Sequence, residues 1–156
     1  MWSLLIIIHA VAASFSLIFG AWQLLRQKGT RSHKIIGRVW VACMYAVIAT
    51  SFGIHTLNGG FTWLHGLSLL TFFTVSMGIY TIIKGNVKSH KAFMTGSYFG
   101  IVGAFIGVIA VPSRRIPQLF ITDISTGLQW AAIIATASWA IIALTHMRFK
   151  SRRITS

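Results

Sequence analysis

Lys28-Gly29 followed by Ser32-His33-Lys34 recurs further along the chain as Lys84-Gly85 followed by Ser89-His90-Lys91. The Lys-Gly pair returns after 56 residues and the Ser-His-Lys triplet after 57. His9 and His65 are also 56 residues apart. Each copy thus has an apolar segment with a histidine near its start, a basic turn with a second histidine, and another apolar segment. This duplication predicts two tandem helix–turn–helix units.

The distribution of charged residues predicts that both units lie in a membrane. The 156-residue chain is 55% hydrophobic and 10% charged, with a mean hydropathy of +0.75. A soluble domain of this size has too little interior to bury that much apolar surface. No charged residue occurs in 1–25, 39–83, 92–113 or 124–147, and a helix needs about 20 apolar residues to cross a bilayer. We therefore expect an all-α integral membrane bundle.

Five transmembrane helices fit these uncharged stretches. The stretch 39–83 is long enough for two passes, and Asn58-Gly59-Gly60 supplies the turn between them. Repeat one then covers about 2–57 and repeat two about 62–112, with one extra helix, and the whole of 1–156 forms a single transmembrane domain. The predicted helices are 2–25, 36–57, 62–83, 91–112 and 126–147.

The basic residues predict the orientation of the bundle. Twelve of the fourteen Lys and Arg residues flank the first and third turns or lie in the C-terminal tail, and the positive-inside rule places them on the cytoplasmic side. Five passes then put the N-terminus outside, in the inner membrane of a bacterium. Because residues 1–25 lack a basic n-region, we expect a retained helix and not a cleaved signal peptide. The net charge of +13 indicates contact with anionic lipid headgroups, not nucleic acid.

The residue types exclude most catalytic chemistry. Asp123 is the only acidic residue, so the chain has no carboxylate pair for hydrolysis and too few oxygen ligands for a hard cation. The single cysteine, Cys43, excludes a disulfide framework. The remaining strong ligands are six histidines. His9, His55 and His65 fall toward the predicted outer side, and His33, His90 and His146 toward the inner side.

Duplication relates one histidine pair on each side of the membrane. Histidines on different helices at the same depth can ligate haem iron from both faces. We predict His33 and His90 as ligands of an inner haem b, and His9 and His65, with His55 as a further candidate, as ligands of an outer one. Met94, one turn after His90, is an alternative or supporting partner. The competing interpretation is that these histidines are ordinary interfacial residues or contact lipid phosphate.

Amides and glycines inside the helices give weaker indications of helix contacts and of a ligand site. Gln23 and Gln129 are expected to hydrogen-bond between helices. Four glycines on the fourth helix fall three or four residues apart on one face. Close helix–helix packing is the preferred explanation of this face, and a site for a flat porphyrin or quinone ring is the alternative. These glycines are Gly96, Gly100, Gly103 and Gly107.

Two longer motifs have a specific spacing. The first is His9 … Gly20-x-x-Gln23-x-x-Arg26 … His33-Lys-x-x-Gly37-Arg38-Val-Trp40, and the second is Gly85-Asn86-Val87-x-x-His90-Lys-x-x-Met94-x-x-Ser97-Tyr98. Together they resemble a family of small bacterial membrane proteins known as domain of unknown function 2306. The resemblance covers roughly residues 5–120, leaves the last helix outside, and implies a polytopic membrane protein without implying an activity. Gly96 departs from the family pattern, in which an Arg precedes Ser-Tyr.

The histidine placement is also distantly similar to that of dihaem b-type cytochromes, whose four-helix membrane bundles hold haem between histidines on different helices. This similarity implies electron transfer between a quinone or an outer-side donor and an acceptor on the other face. The alternative function is a membrane scaffold or assembly factor for a larger complex, with a membrane protein partner or a second copy of the chain. A small transporter is the third candidate function.

Overall fold

The protein is all-helical in the computed structural model, which describes residues 4–54, 63–110, 118 and 121–151, with side chains up to residue 144. The described ranges contain no strand. Each of the main helices is long and apolar enough to cross a membrane, so the predicted five-helix membrane fold is confirmed. These helices are α1 (Leu4–Leu25), α2 (Arg31–Gly53), α3 (Trp63–Ile83), α4 (Val87–Ile109) and α5 (Ile124–Ser151).

The second helix of each repeat begins earlier than its hydropathy predicts. α2 begins at Arg31 and α4 at Val87, where the predicted starts were residues 36 and 91. The polar first turns become helical because a side chain caps each of them. The Thr30 hydroxyl oxygen accepts a hydrogen bond from a backbone N–H at 3.1 Å, and the Asn86 amide oxygen accepts one at 3.0 Å. Local capping thus extends both helices beyond their apolar stretches.

Both Lys-Gly turns have the same backbone geometry. Gly29 has a φ of +80° and Gly85 a φ of +78°, in the left-handed region that favours glycine. From each glycine the chain passes through the capping residue into the next helix. One residue more separates the cap from the histidine in the second repeat, so His33 is the third residue of α2 and His90 the fourth of α4.

The first four helices form a ring with α5 on its outside. The most extensive contacts join α1 to α2 and α3 to α4, which are the two helical hairpins of the repeat. Smaller contacts between α2 and α3 and between α1 and α4 close the ring. α1 therefore lies diagonally opposite α3, and α2 lies opposite α4. α5 packs thinly on α1 and α2, with Ser138 almost fully buried and Ile142 against the core of the ring.

The interior of the ring is a tight apolar core crossed by a few hydrogen bonds. Its buried members are Phe19, Ile36, Trp40, Met44, Val75 and Ile101. Hydrogen bonds between serine, threonine and tyrosine side chains join neighbouring helices, as is common within membranes. They are Ser51–Ser68 at 2.9 Å, Tyr45–Ser76 at 2.9 Å and Ser97–Thr74 at 2.8 Å.

The outward faces of the ring are apolar. Phe72, Phe73, Phe99 and Ile106 each expose more than half of their surface. Such a contiguous apolar exterior would be an aggregation hazard in water and suits the acyl chains of lipids.

Gly20, in the first motif, lies at a close crossing of three helices. The Trp40 indole N–H of α2 donates to the Ser16 carbonyl of α1 at 2.9 Å, and the Tyr98 ring of α4 packs over the same part of α1. A Cβ at Gly20 would lie 2.8 Å from Trp40 Nε1 and 2.6 Å from Tyr98 Cε2. Only a glycine leaves room for both rings, which accounts for three residues of the motifs.

The predicted close packing along the glycine face of α4 is found only at Gly107, where a Cβ would lie 3.1 Å from the Trp63 ring. At Gly96, Gly100 and Gly103 a Cβ would meet no atom of another helix within 4 Å among the described residues, so there the prediction is wrong. α4 packs on the ring through a neighbouring face that carries Met94, Ser97 and Ile101. Gly96 and Gly100 each precede a residue of that face and are turned about 100° from it, and Gly103 lies about 160° from Ile101, because each residue of a helix rotates by about 100°.

Asp123 caps the N-terminus of α5. Its Oδ1 accepts hydrogen bonds from the Thr126 backbone N–H at 3.1 Å and the Ser125 hydroxyl at 2.7 Å. The hydrogen bonds from Thr126, followed by those from Ser125, lower the pKa of Asp123 to about 2, so this carboxylate stays ionised at neutral pH. His55, Arg114, Arg115 and the predicted turn at 58–60 lie outside the described residues.

Replacing Gly20 by alanine is expected to lower the stability of the bundle by about 1–3 kcal/mol, the usual cost of overpacking a core. The change also gains helix propensity of about 0.5–1 kcal/mol. Gly96→Ala is the matched control, because it gains the same propensity while its Cβ meets nothing. Thermal unfolding in detergent should show G20A below wild type and G96A at or above it. Equal midpoints for the two variants would contradict this packing.

Candidate functional site

The four predicted ligand histidines form two pairs on diagonally opposite helices. We call the end of the ring with the two Lys-Gly turns the basic end, and the end where α1 and α3 begin the opposite end. His33 of α2 and His90 of α4 lie near the basic end. His9 of α1 and His65 of α3 lie near the opposite end. Each pair therefore takes one residue from each repeat.

His33 is held by Gln23 through two hydrogen bonds. The Gln23 amide nitrogen donates to the His33 carbonyl at 2.7 Å, and the Gln23 amide oxygen lies 3.1 Å from His33 Nδ1. Since the amide oxygen can only accept, Nδ1 of His33 carries the proton and Nε2 keeps its lone pair. Gly37 makes this contact possible, because a Cβ there would lie 3.0 Å from the Gln23 amide nitrogen. Gln23 thus forms the predicted hydrogen bond between helices.

His90 is held by the backbone of α3. Its Nδ1 lies 2.7 Å from the Gly78 carbonyl oxygen, and because a carbonyl only accepts, Nδ1 again carries the proton. Gly78 also receives the Met94 side chain, since a Cβ at Gly78 would lie 2.7 Å from Met94 Cε. Met94 therefore packs on α3 directly beside the acceptor of His90.

His9 has the same protonation pattern at the opposite end. Its Nδ1 lies 2.9 Å from the Thr50 hydroxyl oxygen. The Thr50 hydroxyl donates to the Ala46 carbonyl at 2.6 Å, so its oxygen is available only as an acceptor for His9. Three histidines on three helices therefore point a proton-bearing Nδ1 at an acceptor on a neighbouring helix. In a neutral ring of this kind, Nε2 is the nitrogen that keeps the lone pair.

A cavity connects His9 with His65. It has a volume of about 280 Å³ and is lined by all four helices of the ring. This volume is slightly below the usual range for small-molecule pockets, about 300–1,000 Å³. Along α1 it extends from Ile6 to Leu17, about 16 Å at the rise of a helix. His65 itself is 7% exposed, and its ring lies 5.8 Å from that of Phe52.

The lining of this cavity is mainly apolar with a few polar groups. Besides the two histidines, hydroxyl groups contribute from α1, α2 and α3, and Gly100 with Ala104 forms a low wall on α4. A long, narrow, apolar space with few polar groups suits a flat hydrophobic molecule with a small number of anchoring points. The hydroxyl-bearing residues are Ser14, Ser51, Ser68 and Thr71.

Positive charge surrounds the other pair at the basic end. Arg26 donates to the Ser32 hydroxyl at 2.8 Å and lies over the Trp22 ring, and Lys28 donates to two backbone carbonyls at the end of α1. These two cations therefore stabilise the first turn. Lys34, Lys88 and Lys91 are exposed at the same end, where they can meet anionic groups.

For two of the three histidines, the sequence does not indicate which group accepts the hydrogen bond from Nδ1–H. Thr50 is 41 residues from His9, and the Gly78 carbonyl is a backbone atom that any residue would supply. Gln129, predicted to act like Gln23, is exposed on α5. In the described ranges no three His, Cys, Asp or Glu side chains come together, so a metal site there would have at most two such ligands.

These features define a polytopic membrane protein with two histidine pairs on diagonal helices. The chain belongs to the family described as "Predicted membrane protein (DUF2306)", whose family model matches residues 6–149. That range includes α5, so the expectation that the similarity ends near residue 120 is wrong. The two motifs that carry the resemblance end at Tyr98 and therefore give no indication of α5. A search of curated proteins and a search of solved structures each find no match.

Thr50→Val should destabilise the protein by about 0.5–1.5 kcal/mol, because it removes one hydrogen bond of the His9 ring, which also contacts the Val47 backbone. Thr136→Val is the control, since the Thr136 hydroxyl is exposed and bonds only carbonyls of its own helix, at 2.9 and 3.0 Å. Thermal unfolding of both variants in one detergent measures the difference. A Thr50→Val protein as stable as Thr136→Val would show that His9 does not depend on this hydroxyl.

Proposed function

We propose that this protein is a b-type haem protein of the bacterial inner membrane that carries electrons across the bilayer. His33 and His90 ligate one haem near the basic end, and His9 and His65 ligate another near the opposite end. The observation that supports this most strongly is the common state of His9, His33 and His90. A histidine that ligates a metal through one nitrogen usually donates its other ring N–H to a protein acceptor, which fixes the ring.

The cavity at the opposite end supports the site between His9 and His65. Its length of about 16 Å along α1 and its apolar lining would suit the long edge of a flat macrocycle, but its volume of about 280 Å³ is smaller than that of a haem, so the lining side chains would have to move apart to admit one. A haem bound there would supply one-electron chemistry, and His9 and His65 would hold its iron while the apolar lining excludes water. Hydroxyl groups in the lining are available to the polar edge of such a ligand.

The two sites lie near opposite faces of the membrane. His33 and Thr50, the partner of His9, are 17 residues apart on α2, or about 25 Å at the helical rise, in a hydrocarbon layer of about 30 Å. Electrons passing from one site to the other would thus cross most of the bilayer. The positive-inside rule assigns the basic end to the cytoplasm, and its lysines would meet haem propionates there. A quinone in the membrane or an outer-side protein is the donor.

Absorption spectra of the purified protein, oxidised and then reduced with dithionite, test this proposal. We expect a Soret band and sharp reduced α and β bands. His33→Ala or His90→Ala should remove about half of the haem, as should His9→Ala or His65→Ala, because each pair loses one axial ligand. His146→Ala, outside both repeats, is the control and should keep the full haem content. A colourless wild-type protein, even with haem supplied during expression, contradicts the proposal.

A cavity-filling variant tests the opposite-end site without changing a histidine. Gly100→Leu places a side chain in the cavity, where a Cβ meets no neighbouring atom, and should abolish the haem between His9 and His65. Gly96→Leu lies one turn earlier on α4, outside the cavity lining, with equally open space around it. It should keep both haems by the pyridine haemochrome assay. Loss of the same amount of haem in both variants would place the ligand elsewhere.

A membrane scaffold is the second candidate function, and the exposure of α5 favours it. Leu128, Ile133, Trp139 and Leu144 on this helix each expose more than half of their surface, and α5 packs only thinly on α1 and α2. In this alternative, α5 would dock against a larger membrane complex. The purified protein would then be colourless and would co-purify with its partner in a fixed ratio.

A further inference from the structure

We infer that Gln23 is a positioning residue that sets the electron density at His33 Nε2 and thereby the reduction potential of the haem at the basic end. This inference rests on the proposed function. Gln23 comes from α1, which supplies no ligand to that pair, so its part in the site lies in its contact with His33. The two hydrogen bonds, at 2.7 and 3.1 Å, join its amide to both the backbone and the ring of the ligand.

The double contact fixes the ring in position as well as in protonation state. The amide nitrogen holds the first turn of α2, and the amide oxygen holds the imidazole of the same residue. The space for this amide exists because Gly37 has no side chain. A shorter or an apolar side chain at position 23 cannot make both contacts, so the His33 ring would be free to rotate and to change tautomer.

An acceptor on Nδ1–H makes Nε2 a stronger electron donor. A stronger axial donor favours ferric over ferrous iron and lowers the reduction potential, one of the means by which proteins tune haem. A carboxylate at position 23 would strengthen this effect, because hydrogen bonds to charged acceptors are stronger, although it would also lose the hydrogen bond that the amide nitrogen donates to the His33 carbonyl. Removing the acceptor of the His33 Nδ1–H would make Nε2 a weaker donor and raise the reduction potential.

The two ligands of this pair differ in how they are held. The acceptor of His90 is the Gly78 carbonyl, which also receives the Thr81 hydroxyl at 3.0 Å. A shared backbone carbonyl cannot be changed by substitution and gives a weaker hydrogen bond to each donor. Gln23 is therefore the side chain through which the sequence controls the potential of this site.

Potentiometric titration of the haem α band tests the role of Gln23. The His9→Ala background leaves one haem to observe. Gln23→Leu should shift its midpoint potential to more positive values, and Gln23→Glu should shift it to more negative values. Gln129→Leu, which changes an exposed amide on α5, should leave the potential unchanged. Opposite shifts from two substitutions of one residue are not expected from a general loosening of the bundle.

Nitrogen-15 NMR of the histidine rings in haem-free protein gives a second readout. His33 should carry its proton on Nδ1 in wild type and in Gln129→Leu, and should become a mixture of tautomers in Gln23→Leu. Shifts of the potential in the same direction for both Gln23 variants, or no shift in either, would overturn the inference while leaving the haem proposal intact. A wild-type protein without haem would overturn the proposed function together with the inference.

Discussion

A polar group inside a bilayer must find its hydrogen-bond partner within the protein, because the surrounding hydrocarbon offers none. In this chain, that constraint is met by hydrogen bonds from three histidines to neighbouring helices. His9 reaches Thr50, His33 reaches Gln23, and His90 reaches a backbone carbonyl of α3. Each contact joins the two helices of one hairpin. The same bonds therefore stabilise the two hairpins.

Much of the fold follows from where charged residues are missing. The uncharged stretches predict five helices, and the structure confirms all five. The starts of α2 and α4 were predicted four or five residues too late, because hydropathy does not register the capping by Thr30 and Asn86. The glycine face of α4 was assigned to packing because spacing alone cannot tell which side of a helix meets its neighbours. In the structure, the side of α4 that carries Met94 and Ser97 is the one that packs against the other helices.

The candidate sites were only partly predictable. The repeat indicates the histidine pairs, since matched positions in two tandem hairpins are expected at similar depth on diagonally opposite helices. It does not identify their acceptors, because those come from distant residues or from the backbone. The distance from the capping residue to the histidine is one residue longer in the second repeat than in the first. His33 and His90 occupy different positions after their caps, and accordingly one is held by a side chain and the other by a carbonyl.

The diagonal arrangement of the pairs has a consequence for assembly. Each hairpin carries one histidine of both pairs, and the contacts between hairpins are smaller than those within them. A molecule bound between two paired histidines would thus be a crosslink between two halves that otherwise hold together weakly. It also follows that neither half contains a complete site, whereas two identical copies of a single hairpin, related by a twofold axis along the membrane normal, would contain both. The duplicated chain is in this sense a covalently joined homodimer.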